Sequence, residues 1–135
     1  MIILFFGLIL AVTAADLITK YKIPGILNPG IAWGVGAEIP WLWKVIVVLS
    51  FVLVVVLVVG YLRYKKRTWI GAVGLGIFVG GILGNAIDRI ITGGPVHDFI
   101  NFQIFQNNIA DIALTVGAAL IVLGLVVENV RGETR

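Results

Sequence analysis

The sequence predicts an all-α membrane protein with four transmembrane helices in a single domain, residues 1–135. The composition is the first reason, because 60% of the residues are hydrophobic and 13% are charged, which is too little polar surface for a soluble domain of this length. The second reason is the presence of four apolar stretches, at about residues 1–19, 41–62, 69–91 and 108–128. Each approaches or exceeds the roughly 20 residues that a helix needs to cross a bilayer.

The first apolar stretch is expected to remain as a permanent helix. Small residues at positions 11–14 resemble a cleavage site, but a cleavable signal peptide normally begins with a positively charged segment. No Lys or Arg precedes Lys20, so cleavage is not favoured. Near the end of this helix, Asp16 and Lys20 have the i, i+4 spacing that suits an ion pair.

The link between the second and third helices is strongly basic, and basic residues also follow the fourth helix. These residues are Arg63, Lys65, Lys66, Arg67, Arg131 and Arg135. Because cytoplasmic loops carry an excess of Lys and Arg, the link and both termini are predicted to face the cytoplasm. The basic run is therefore interpreted as a topology signal, and no nucleic-acid partner is expected.

The third helix is predicted to occupy the centre of the bundle. Glycines recur every four residues from Gly76 to Gly84, a pattern of small residues that lets membrane helices approach closely. Asn85 shares a helix face with Asp88 and also with Arg89. Asp88 and Arg89 themselves diverge, so each is expected to need its own partner.

The two outer links are expected to be ordered. The first contains the turn signal Asn28-Pro29-Gly30, followed by an apolar run at residues 31–35 that suits a short strand or flap on the membrane. The second contains several apolar residues within 96–102, which suggest a segment that dips into the membrane interface.

Under this threading, four aspartates reach the outer membrane face: Asp16, Asp88, Asp98 and Asp111. Ionisable groups at membrane depth are costly to insert and indicate a functional site. Structural roles remain open for each: an ion pair with Lys20 for Asp16, hydrogen bonds at the helix end for Asp88, and a loop position for Asp98. Asn108 and Asp111 also have the spacing of a helix N-cap and its N3 carboxylate.

Elimination leaves carboxylate chemistry. The chain has no cysteine, its only serine is Ser50 midway along the second apolar stretch, and its only histidine is His97, which argues against thiol, zinc and serine-triad sites. Paired carboxylates can hydrolyse an amide without a metal or cofactor, because one keeps a proton while the other accepts one. Asp98 and Asp111 come from different elements and have no evident cationic neighbour, so they are the predicted catalytic pair.

Five ordered blocks between Asp16 and Asp111 make the chain resemble the lipoprotein signal peptidases, or signal peptidase II, a family of bacterial inner-membrane aspartyl proteases. The blocks are residues 16–20, 28–34, 80–89, 96–99 and 108–111. The resemblance implies that Asp98 and Asp111 are catalytic and that the first outer link forms a small β cradle. The other residues that it implies as substrate-binding or site-shaping are Asp16, Lys20, Asn28, Asn85, Asp88, Arg89 and Asn108.

The resemblance also implies the substrate and the location. The expected substrate is a diacylglyceryl-modified prolipoprotein, cut on the N-terminal side of its lipidated cysteine by a monomer surrounded by membrane lipids. The expected location is the bacterial inner membrane, with the active site at the outer leaflet. Two other interpretations stay open: a transporter, whose carboxylates should approach the membrane midplane, and a non-catalytic scaffold whose polar residues merely join helices.

Overall fold

The computed structural model describes residues 1–30, 35–64, 68–103 and 106–133, the last four by backbone alone. The helices are Ile2–Lys22 (α1), Leu42–Arg63 (α2), Trp69–Thr92 (α3) and Ile109–Glu133 (α4). The strands are Ile26–Asn28 (β1), Val96–Asp98 (β2), Ile100–Asn101 (β3) and Gln106–Asn107 (β4). All four helices are long and apolar enough to cross a membrane, so the predicted multi-pass membrane fold is confirmed.

Local sequence explains where α3 begins and ends. The Thr68 hydroxyl caps the first turn by accepting a hydrogen bond from the backbone N–H of Gly71 at 3.1 Å. At the other end, Gly93 adopts a left-handed conformation with φ of 77°, which a glycine reaches without the steric cost of a Cβ atom. The chain can therefore turn directly into the second outer link.

Helix α3 lies at the centre of the bundle, as predicted, and packs against α1, α2 and α4. The glycine stripe is part of the reason. A Cβ atom on Gly84 would come within 2.5 Å of the Asp16 carboxylate, so the close approach of α1 requires glycine at this position. One turn earlier, the Thr13 hydroxyl donates to the carbonyl of Gly80 at 3.1 Å. The glycine stripe thus brings polar groups of α1 directly against α3.

The β structure combines both outer links. Strand β1 of the first link pairs antiparallel with β2 of the second, with Ile26 opposite Asp98 and Asn28 opposite Val96. Strands β3 and β4 form a second antiparallel pair within the second link. The sequence placed β structure in the first link, and the structure adds the second link because a lone strand leaves its backbone groups unpaired. Most of the predicted flap, residues 31–34, lies outside the described residues.

Candidate active site

A cavity of about 740 Å³ opens between α2, α3 and α4 beneath the outer links. Its polar lining includes Asp98 and Asp111, so the structure brings the predicted catalytic pair to one cavity. The remaining described lining residues are Asn28, Ile46, Ser50, Leu53, Ile82, Asn85, Ala86, Arg89, Phe102, Gln106, Asn107, Ile112, Leu114, Thr115 and Val116. The apolar members come mainly from the helices, whereas Asn28, Asp98, Gln106 and Asn107 come from the two links.

Asp98 is the last residue of β2 and is only 3% exposed. Two asparagine side chains hold its carboxylate: the Nδ2 group of Asn108 donates to Oδ1 at 2.7 Å, and that of Asn28 donates to Oδ2 at 3.1 Å. The oxygen of the Asn28 amide accepts from the backbone N–H of Gly30 at 3.1 Å, which directs its nitrogen toward Asp98. The Asn28 amide is thus held in the orientation that donates to Asp98.

Asp111 lies in the first turn of α4 and is held by different donors. The Nδ2 group of Asn85 donates to Oδ1 at 2.8 Å, and the backbone N–H of Asn108 approaches Oδ2 at 3.3 Å. The Asn108 side-chain oxygen accepts from the backbone N–H of Asp111 at 3.0 Å. This is the reciprocal cap that the spacing predicted. Asn108 therefore contacts both carboxylates and ties them together.

Electrostatics distinguish the two members of the pair. Burial raises the pKa of the Asp98 carboxyl above its usual range, against the opposing effect of the hydrogen bonds from Asn28 and Asn108. The negative charge of Asp111 raises it further. Asp111 is more exposed, in the wall of the cavity. Asp98 is therefore the better candidate to retain a proton.

Asp16 and Asp88 form a second, closed cluster on the α1 side of α3. The ammonium group of Lys20 lies 2.7 Å from Asp16 and 3.5 Å from Asp88, and all three side chains are fully buried. Asp88 also accepts hydrogen bonds from the Tyr21 hydroxyl at 3.0 Å and from the backbone N–H of His97 at 2.8 Å. The structural ion pair between Asp16 and Lys20 is thus present, and Asp88 joins it.

Arg89 has different partners from its neighbour Asp88. Its guanidinium donates to the carbonyl oxygens of Gly30 and Gly94, both at 2.8 Å, and so joins the two outer links. The side chain also lies within electrostatic reach of Asp98 and Asp111. The expectation that this pair has no cationic neighbour is therefore wrong: α3 brings Arg89 to the same cavity wall.

Sequence reasoning missed Tyr21 as a partner of Asp88. Its hydroxyl is reached only because α1 continues through Lys22, one turn beyond the predicted end near residue 19. The buried contacts of Lys20 with α3 explain the extension, since they stabilise the last turn. The only signal in the sequence was a tyrosine next to Lys20.

The fold and the site together define a multi-pass membrane protein with a pair of aspartates in the wall of one cavity. Residues 8–127 match the family model described as signal peptidase (SPase) II. The chain belongs to this family.

Three curated relatives are lipoprotein signal peptidases. The one from Lactiplantibacillus plantarum is 39% identical over 103 residues, 73% of this chain and 64% of that protein. The one from Enterococcus faecalis is 36% identical over 122 residues, 82% of this chain and 72% of the relative. The one from Pelotomaculum thermopropionicum is 36% identical over 101 residues, which are 74% of this chain and 64% of that protein. The match thus spans slightly less than two thirds of the length of two of these relatives.

Two solved structures are similar in fold, both described as bacterial membrane enzymes determined by the in meso method. The first, at 2.3 Å resolution, has a TM-score of 0.80 and 25% identity, covering 93% of this chain and 88% of the other. The second, at 1.9 Å resolution, has a TM-score of 0.72 and 26% identity, and the match covers 90% of this chain and 91% of the other. Almost the whole bundle is therefore shared with known membrane enzymes.

Proposed function

We propose that this protein is an aspartyl endopeptidase that removes signal peptides from diacylglyceryl-modified prolipoproteins, cutting on the N-terminal side of the lipidated cysteine. The observation that carries this proposal is the arrangement of Asp98 and Asp111 in one cavity wall, joined through Asn108. The names of the curated relatives support the substrate class.

Asp98 acts as the general acid and Asp111 as the general base in this proposal. Asp111 takes a proton from a water molecule, whose oxygen attacks the scissile carbonyl carbon, while the proton of Asp98 passes to the carbonyl oxygen. The resulting tetrahedral intermediate collapses as Asp111 returns its proton to the leaving amine. Asp98 then recovers its proton from the intermediate as the new carboxyl group forms. Neither step requires a metal or a covalent enzyme intermediate.

The cavity suits a substrate anchored in the membrane. Much of the helical part of its lining is apolar, including Ile46 and Leu53 of α2 and Ile112 and Val116 of α4. A signal helix and acyl chains can rest against such walls while the peptide bond reaches the polar outer end. Because the lipid anchor confines the substrate, attack becomes effectively intramolecular, a gain worth several kcal/mol in barrier height, with about 7–11 kcal/mol as the ideal limit.

The proposed location is the bacterial inner membrane, with both termini cytoplasmic, the cavity at the outer leaflet and the protein acting as a monomer among membrane lipids. The chain has no cysteine, so single-cysteine variants can be labelled cleanly. A membrane-impermeant maleimide added outside intact cells should label Glu38→Cys and leave Tyr64→Cys unlabelled until the membrane is opened. The reverse pattern would contradict the proposed orientation.

The decisive experiment is cleavage of a purified diacylglyceryl-modified prolipoprotein by the protein in detergent or liposomes, followed by gel shift. Wild type and the surface control Glu38→Gln should cleave it with or without a chelator. Asp98→Asn and Asp111→Asn should each fall below about one thousandth of the wild-type rate. Turnover at the wild-type rate in either variant would reject the catalytic pair, and equal cleavage of an unlipidated precursor would reject the anchoring argument.

A further inference from the structure

Helix α1 contributes no residue to the described lining of the outer cavity, yet one of its side chains reaches the wall behind it. The Lys20 side chain is fully buried, with its ammonium 2.7 Å from Asp16. The same ammonium donates to the side-chain oxygen of Asn85 at 2.8 Å. Asn85 lies on α3, between Lys20 and the cavity.

The other end of the Asn85 side chain touches the catalytic pair. Its Nδ2 group donates to Asp111 Oδ1 at 2.8 Å. An ammonium group only donates hydrogen bonds, so the Asn85 oxygen must face Lys20 and its N–H groups must face away. The position of one lysine therefore decides which end of the amide meets Asp111.

We propose that Lys20 is a positioning residue for the reaction, which fixes the amide of Asn85 so that an N–H group, and not the oxygen, faces Asp111. The inference rests on the proposed function and adds a role for α1, which lies outside the cavity. With the amide reversed, an oxygen would face Asp111 and disfavour its negative charge. Lys20 thus acts on Asp111, the proposed base, through the side chain of Asn85.

A second contact holds the same region of α4 against α1. Asp16 Oδ1 accepts a hydrogen bond from the backbone N–H of Ala110 at 2.8 Å, next to Asp111. This N–H is one of the groups that a helix start leaves unpaired, so Asp16 both satisfies it and fixes the position of α4. Asp16 and Lys20 on α1 together therefore set the position of Asp111, through Ala110 and Asn85 respectively.

Other charged groups around Asp111 are distributed over several elements. Asp98 on β2 and Arg89 on α3 interact with it electrostatically. The α2 residues that face it across the cavity are uncharged: Ile46, Ser50 and Leu53. Lys20 and Asp16 carry opposite charges, so removing them together leaves the local net charge unchanged. A change in the ionisation of Asp111 then reports the lost orientation of Asn85.

The test is the double variant Lys20→Met/Asp16→Asn, with kcat, KM and the pH profile measured on the lipidated prolipoprotein. We expect kcat to fall 10- to 100-fold, KM to stay within about twofold, and the acidic limb of the profile to move up by about one pH unit. Thr13→Val, on the same helix, should leave the limb unchanged. A wild-type kcat with an unchanged limb, or a loss confined to KM, would overturn the proposal.

A second variant decides the matter if the double variant does not fold. Asn85→Leu keeps a similar size and leaves Lys20 its Asp16 partner, but it cannot donate to Asp111. The acidic limb should again move upward, whereas an unchanged limb would overturn the proposal. Parallel assays of Asp111→Asn separate a failure of the role of Lys20 from a failure of the proposed function. Inactive Asp111→Asn with an unshifted limb in the other variants rejects only the role of Lys20, while active Asp111→Asn rejects the proposed function.

Discussion

Two pairs of aspartates lie near the C-terminal end of α3 and differ in what surrounds them. The cavity pair, Asp98 and Asp111, is held by asparagine amides and backbone N–H groups and lines an open cavity. The bundle pair, Asp16 and Asp88, is fully buried around the ammonium of Lys20. Position along the bundle therefore does not distinguish the two pairs, whereas the partners of each carboxylate do.

The chemical reason is the choice of donor. A buried ammonium fixes a carboxylate in place, because separating the two would leave an unpaired charge in a low-dielectric interior. An amide donor carries no net charge, so a carboxyl held by amides can still exchange a proton. The bundle pair is thus suited to structure, and the cavity pair to proton transfer.

The largest expected effect is that a substitution in the cavity pair lowers activity, whereas one in the bundle pair lowers stability. Asp111→Asn should lower turnover about 1,000-fold or more while its thermal unfolding midpoint in detergent stays close to that of wild type. Asp88→Asn should lower the midpoint and keep measurable turnover in the folded fraction. The contrast between the pairs would be lost if both variants fell in activity alone.

Asp16→Asn should mainly reduce stability. The change removes the closest charge partner of Lys20, and breaking a buried ion pair costs about 3–5 kcal/mol in the free energy of unfolding. The asparagine oxygen can still accept from Ala110, so turnover per folded molecule should stay within about tenfold of wild type. Denaturant unfolding in mixed micelles, with Glu38→Gln as control, measures the free energy of unfolding. A change below about 1 kcal/mol would contradict the assignment.

Asn108→Ala should give an intermediate effect on both properties. The loss of the helix cap costs about 1 kcal/mol in unfolding free energy. Asp98 loses a direct donor, and Asp111 loses the side-chain half of its reciprocal cap, so kcat should fall about 10- to 100-fold. Asn108→Ser keeps a capping oxygen but is too short to donate to Asp98, so it should recover stability without recovering activity. Recovery of both would show that the cap alone matters.

The smallest effect is the pH dependence of stability at Asp98. Its pKa in the folded protein is raised by burial, so the stability that its protonation contributes is complete below the usual aspartate pKa of about 3.9 and is lost as the pH rises through the raised value. Asp98→Asn should therefore gain stability relative to wild type as the pH increases from about 4. Unfolding midpoints at several pH values measure this difference, and a constant difference would argue against a raised pKa.

Much of the fold is local and was therefore predictable. The four spans follow from the length and apolarity of continuous stretches, and the glycine stripe of α3 indicated the central helix. The Asp16–Lys20 ion pair and the Asn108–Asp111 cap follow from spacings of four and three residues within one helix turn. The grouping of four aspartates at one face followed from the order of the spans.

The tertiary structure alone decided which groups hold the aspartates. Lys20 and Asn85 are 65 residues apart, and Asn28 is 70 residues from Asp98, so no periodicity connects them. The pairing of β1 with β2 and the attachment of Arg89 to both outer links depend in the same way on how α1 and α3 pack. Residue spacing specifies contacts within a helix, whereas contacts between distant segments depend on the packing of the whole bundle.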